Sequence, residues 1–176
     1  MGNKRITQTL AVLVLLLAMF ASACGYGFRH QRSNLPPEIK TIAIPMFVNK
    51  TNEVRLEGLV TEQVRFQFSN SQILKLVAVE EADVILRGEI TSVTYDDVTL
   101  TITTTSLSRR VGVGIAAKLL YRETGEVLYN GGTSQWRNYI INANDNMSSD
   151  AARREALRLT AREAARIIHD GVLQNF

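Results

Sequence analysis

Cysteine and histidine are scarce in this chain, and each scarcity excludes something. The single cysteine, Cys24, leaves no partner for an internal disulfide and no cysteine-rich metal site. The two histidines, His30 and His169, lie near opposite ends of the chain without ligand-like spacing. His169 falls near the expected end of a helix, where a cation suits the dipole. No Gly-x-Ser-x-Gly elbow, phosphate loop or zinc-protease helix occurs in the sequence. Gly112-Val113-Gly114 lacks the rest of a dinucleotide fingerprint and fits close packing in a strand. Asp96-Asp97 sits among threonines and reads as a turn or bulge, not as a catalytic pair. The sequence therefore gives no support to an enzyme, a metal site or a cofactor.

Charge of one sign is also lacking. The chain has 20 Lys and Arg against 17 Asp and Glu. Lys4 and Arg5 belong to an N-terminal leader, so the remainder is close to neutral and is not a general nucleic-acid binder. Any anion recognition has to come from a local basic patch.

The leader itself is the clearest feature present. After Lys4 and Arg5 comes the apolar run Leu10 to Phe20, then Ala21-Ser22-Ala23 and Cys24. The run is shorter than the ~20 residues that span a bilayer, so residues 1–23 read as a removable signal peptide. A cysteine at the cleavage point is the acylation site of a bacterial lipoprotein. The same Ala-x-Ala also suits ordinary signal peptidase, which leaves a soluble periplasmic protein as the other reading. Gly25, in place of the aspartate that retains lipoproteins at the inner membrane, points to the outer membrane. Removal of the leader leaves about 150 residues, enough for one core. Residues 24–37 read as a lipidated tether broken by Gly25, Gly27 and Pro36-Pro37, and residues 38–176 as a single domain.

Within that domain, Thr41 to Ile44 is a short β-branched run that ends at Pro45. Asn49 to Asn52 reads as a capping sequence for a helix carrying Leu56, Leu59, Val60 and Val64, closed by Ser69-Asn70-Ser71. Leu74 to Val79 is strand-like, and Glu80 to Asp83 is a polar break before a strand over Val84 to Thr94. Val98 to Thr105 alternates, Leu107 to Arg110 interrupts, and Val111 to Tyr121 resumes the apolar pattern. After the turn at Thr124-Gly125 a further strand begins with Glu126 to Tyr129. From Asp150, a good N-cap, a helix groups Ala156, Leu157, Thr160, Ala161, Ala164, Ile167 and Ile168 on one face. Arg154, Arg158, Arg162 and Arg166 fall on the other face. That stripe is either a surface for anionic lipid or a solvated helix back eased by Glu155 and Glu163. The expected fold is α+β, a two-layer sandwich of two helices on one face of a mostly antiparallel four- to five-stranded sheet.

Taken in order, these residues resemble the LPS-assembly lipoprotein family LptE. The resemblance begins at Cys24-Gly25-Tyr26-Gly27-Phe28-Arg29 and runs through Leu35-Pro36-Pro37 to Ile44-Pro45, with Phe47 and Asn49-Lys50-Thr51. Glu57 and Thr61 follow on the first helix, then Ala82-Asp83-Val84 to Gly88-Glu89-Ile90, and Thr124 to Leu128. The resemblance implies a non-enzymatic lipoprotein at the inner leaflet of the outer membrane. Such a protein plugs the LptD β-barrel, assists barrel assembly and can bind lipopolysaccharide.

Candidates for that last contact come from this sequence. Ser106 to Arg110 is expected to form a hairpin tip whose Arg109 and Arg110 meet lipid A phosphates, or else are solvated turn residues. The Ile42-Ala43-Ile44-Pro45 opening and the later Ala82-Asp83 to Gly88 segment also look like those of periplasm-facing lipoproteins that activate cell-wall synthases or form secretion channels. That second class stays open at this point.

Overall fold

The computed structural model describes residues 35–99, 106–142 and 144–174. Cys24 and the leader lie outside the described residues. Strand β1 (Thr41–Ala43), β2 (Val48–Asn49), helix α1 (Leu56–Ser71) and β3 (Lys75–Leu76) come first. Three strands of 16 residues follow, β4 (Val84–Thr99), β5 (Ser106–Tyr121) and β6 (Val127–Asn142), and helix α2 (Asn146–Gln174) closes the chain. The sheet order is β3-β1-β4-β5-β6, with β2 beside β4. The sheet has six strands, slightly more than expected, and is mixed. The long β4–β5–β6 meander is antiparallel, whereas β1, β2 and β3 pair in parallel.

Side-chain alternation decides which face is buried. In β4 and β5, Val84, Leu86, Ile90, Val111, Val113, Ile115, Ala117 and Leu119 all turn toward the helices and are buried. Helix α1 adds Val60, Val64 and Phe68, and α2 adds Leu157, Ile168 and Val172 to the same cluster. Ala156, Ala161, Ala164 and Ala165 are buried in α2, and such short side chains let the helix lie close to the strands. The alanine-rich face that periodicity marks is the one buried here, with Ile167 at its margin. No helix among the described residues is long and apolar enough to cross a membrane.

Local chemistry fixes how α1 meets the sheet. The Phe47 N–H donates to Thr61 Oγ1 (3.0 Å), and Thr61 donates in turn to the Glu57 carbonyl (2.6 Å). Asn49 Nδ2 donates to Glu57 Oε2 (3.0 Å), and Arg65 donates twice to the Ile44 carbonyl (2.9 and 2.6 Å). Asp83 closes the start of β1, its Oδ2 accepting from the N–H groups of Lys40 and Thr41 (both 2.9 Å). Those bonds hold its carboxyl below the ordinary aspartate value. Gly88 lets the Phe47 ring lie against β4, since a Cβ there would overlap that ring.

Two capping expectations need correction. Helix α1 starts after Arg55, which sits at φ 66° without a side-chain cap, while Asn49 folds back onto Thr51. Helix α2 starts at Asn146, and its cap is Asp145, not Asp150. Asp145 Oδ1 accepts from the N–H groups of Met147 and Ser148 (both 3.1 Å). His169 lies near the end of α2 and is buried. It is 4% exposed, edge-on to Phe68 at 4.8 Å between ring centroids, with Nδ1 3.0 Å from Asp170 Oδ1.

Candidate functional site

The far half of the meander carries the two arginines that the sequence singles out. Ser106 to Arg110 is not a hairpin tip. It is the first part of β5, paired with β6 throughout and with β4 from Ser108 onward, and the connection over residues 100–105 lies outside the described residues. Asp96 and Asp97 are likewise in a strand, opposite Arg110 and Arg109, with a register shift just beyond Asp97. The bulge half of that expectation holds and the turn half does not.

Being in a strand separates the two arginines, because successive side chains point to opposite faces. Arg109 shares the helix-side face with Val111 and the buried Tyr139, and its Nε donates to Asp97 Oδ1 at 2.6 Å. The Asp97 carboxylate pushes the Arg109 guanidinium further up from its already high value. Arg110 points to the other face. Its Cζ lies 4.3 Å from the centroid of the Trp136 ring, and its Nε donates to Asn138 Oδ1 at 3.3 Å. Among the described residues Arg110 makes no ion pair, although Asp96 stands opposite it on β4.

No element among the described residues lies over this second face. Its floor is low, because Gly112 and Gly114 bring no side chain. A Cβ on Gly112 would stand 2.6 Å from Thr94 Oγ1, and one on Gly114 2.5 Å from Ser92 Oγ. The glycine pair thus serves close packing, as its place in an apolar strand implies. Trp136 stands opposite Gly112 and Ile140 opposite Ser108, so both share the face of Arg110. They are 61% and 64% exposed. The sequence reading missed Trp136 and Ile140, although their even spacing from Asn138 on an alternating strand is a usable signal.

A second cluster was also missed. Arg153 at the start of α2 donates to Glu53 Oε1 (2.8 Å) and to the Tyr95 hydroxyl (3.2 Å), and that hydroxyl donates to Glu53 Oε2 (2.6 Å). Burial first, then the Glu53 carboxylate, pushes the Tyr95 hydroxyl up to about 12. This cluster ties the loop before α1, β4 and α2 together and reads as a structural pin.

Three of the four arginines of the α2 stripe pair within their own helix, and Arg162 is exposed. Arg158 pairs with Glu155 at 2.6 Å, Arg166 with Glu163 at 2.7 Å, and Arg154 with Asp150 at 3.5 Å. Those contacts favour the solvated-back reading over a lipid surface. What the meander can do chemically is bind, through one uncommitted guanidinium beside two exposed apolar side chains.

No curated protein sequence matches the chain. Three solved structures are similar in fold. A minor lipoprotein from Acinetobacter baumannii is 15% identical, with 80% of this chain and 95% of that one covered and a TM-score of 0.50. The hypothetical protein CT253 from Chlamydia trachomatis is 10% identical, with coverage of 78% and 99% and a TM-score of 0.55. PelC from Paraburkholderia phytofirmans, solved as a dodecamer, is 13% identical, with coverage of 81% and 96% and a TM-score of 0.52. Identities this low speak for the fold alone. The family model is more specific: residues 39–170 match the one described as LptE, Lipopolysaccharide-assembly. That span takes in the Phe47–Asn49–Glu57–Thr61 cluster, helix α1, the entire meander and α2 as far as Asp170, and the chain belongs to the LptE lipopolysaccharide-assembly family.

Proposed function

We propose that this protein is an outer-membrane lipoprotein, acylated at Cys24 after removal of residues 1–23. In this reading it partners and plugs the LptD β-barrel from the periplasmic side, assisting barrel assembly and the insertion of lipopolysaccharide into the outer leaflet. The observation that carries the reading is the LptE match over residues 39–170, joined to a leader that ends in Ala21-Ser22-Ala23-Cys24. Physical chemistry supports it. Barrel lumens are polar, and the free sheet face presents Ser92, Thr94, Ser134 and Asn138 among glycines. Acyl chains on Cys24 contribute about 0.8 kcal/mol per buried methylene, so two or more hold the domain at the membrane.

Direct lipopolysaccharide binding belongs to the same proposal, with Arg109 and Arg110 as its candidates. The geometry favours Arg110, because Arg109 is already neutralised by Asp97. Depletion of the protein tests the assembly role. Correctly assembled barrel should fall in yield, and mass spectrometry of the mature N-terminal peptide should find acyl chains on Cys24. Unchanged barrel levels with an unmodified Cys24 thiol would overturn the reading.

A further inference from the structure

We infer that Arg87 and Lys118, with the apolar cavity beside them, form the point at which the barrel partner seats a carboxylate. An inward-facing Asp or Glu of the barrel meets the two cations, and an apolar side chain next to it fills the cavity. The inference rests on the barrel-partner reading above and adds to it the chemistry that this chain demands of the barrel wall.

Arg87 and Lys118 stand directly opposite each other on β4 and β5, at the end of the meander away from residues 100–105. Such a cross-strand pair shares one face with Cβ atoms about 5 Å apart, and like charges there repel. Leu86, Ala117 and Leu119 flank the pair in sequence and are buried on the helix side, so both cations point away from the helices. Both are exposed, and neither has an ion pair or a side-chain hydrogen bond among the described residues. Glu89, two residues along β4 on the same face, is engaged by Lys50 at 3.9 Å. Asn130, opposite Lys118 on β6, is neutral. The folded chain thus carries a repulsion that one acidic or neutral residue at either position would remove. A carboxylate seated between the two heads turns that repulsion into two charge-assisted contacts.

Apolar surface adjoins the cations. Ala43, Ala82 and Ile85 form a small second core, with Val77 packed against it. Its cover stops short, and Met46, Val48 and Val79 are 63%, 51% and 39% exposed. Together with Ile85 and Arg87 they line a cavity of about 340 Å³. That volume is at the small end of ligand pockets and suits one or two side chains better than the several acyl chains of a lipopolysaccharide. An apolar pocket with an arginine at its edge is how a protein interface is anchored, the buried side chain giving affinity and the charge giving register. A barrel wall bearing only neutral groups here would leave two cations desolvated and unpaired, which is costly. The wall facing this point therefore has to supply a carboxylate.

Two readouts separate docking from packing. In the purified lipoprotein without its barrel, Lys118→Glu sets an opposite charge across from Arg87, and the urea midpoint should rise. When tagged variant and wild type compete in cells for limiting barrel, the same substitution should cut the variant's share of the purified complex at least tenfold. Arg87→Ala and Lys118→Gln should each cost about tenfold, and Met46→Ser about threefold. Reversal of one inner-wall carboxylate of the barrel to lysine should restore the Lys118→Glu complex. A lowered midpoint for Lys118→Glu, an undiminished share of barrel, or an inner wall on which no single reversal restores the complex overturns this inference and leaves the barrel reading standing. Loss of lipopolysaccharide co-elution with an unchanged share of barrel also overturns it, by making the pair a lipid contact. Failure of the wild-type chain to recover any barrel removes the barrel reading itself.

Discussion

Arg109 and Arg110 are neighbours in sequence but face opposite sides of the sheet, Arg109 bound to Asp97 at 2.6 Å and Arg110 set over Trp136 at 4.3 Å. Adjacent arginines in a turn could grip one phosphate together, but adjacent arginines in a strand cannot. Their substitutions should therefore behave differently. Arg110→Ala should weaken lipopolysaccharide binding about tenfold, and the wild-type affinity should fall with added salt. Arg109→Ala should leave binding within about twofold, because removing an exposed and already paired cation changes little. Equal losses in a co-elution assay would contradict this division.

The pin formed by Glu53, Tyr95 and Arg153 predicts an alkaline weakness. The Tyr95 hydroxyl is pushed up to about 12 from an ordinary value of 10. A group with a raised folded-state pKa stabilises fully below its unfolded value and loses that contribution as pH rises through the folded one. Wild-type stability should therefore fall between about pH 10 and pH 12 more steeply than that of Tyr95→Phe, when urea midpoints are compared. The comparison matters because Tyr121 and Tyr129 are also shifted upward and titrate in both chains. Parallel pH profiles would show that Tyr95 ionises without strain in the folded state.

Gly88 and Phe47 form a tight pair between β4 and the segment after β1. Gly88→Ala should destabilise by about 1–3 kcal/mol through overpacking, read as a lower urea midpoint. Placing it in a Phe47→Leu background should cost less than in the wild type, since the smaller side chain makes room. Additive effects would mean that the Phe47 ring can move aside freely.

Periodicity made part of this fold legible. Helix α2 is 29 residues long, and its buried residues recur at helical spacing from Ala156 to Val172, so the buried stripe follows from spacing alone. Its true start was obscured because the cap Asp145 is followed by Asn146, Met147 and Ser148, all exposed, so the first turn has no apolar pattern. The parallel strands β2 and β3 are two residues each, too short to show any period. Phe47, Asn49, Glu57 and Thr61 were legible as a family pattern, and their hydrogen bonds explain why they occur together.

At the candidate site the sequence misled in one specific way. Two arginines after a serine look like a turn, yet a strand with one covered face and one free face carries polar residues without breaking. Ser108 and Arg110 on one side and Arg109 on the other keep the alternation that the eye reads as an interruption. The Glu53–Tyr95–Arg153 pin could not be read at all, since Arg153 follows Glu53 by a hundred positions and no local pattern links them.

The partner found in intact envelopes decides the function of this protein most directly. Cross-linking of the full-length lipoprotein in cells, followed by purification in mild detergent, should recover it one-to-one with LptD. Recovery with a peptidoglycan synthase or a secretion-channel component, and with no outer-membrane barrel, would contradict the account.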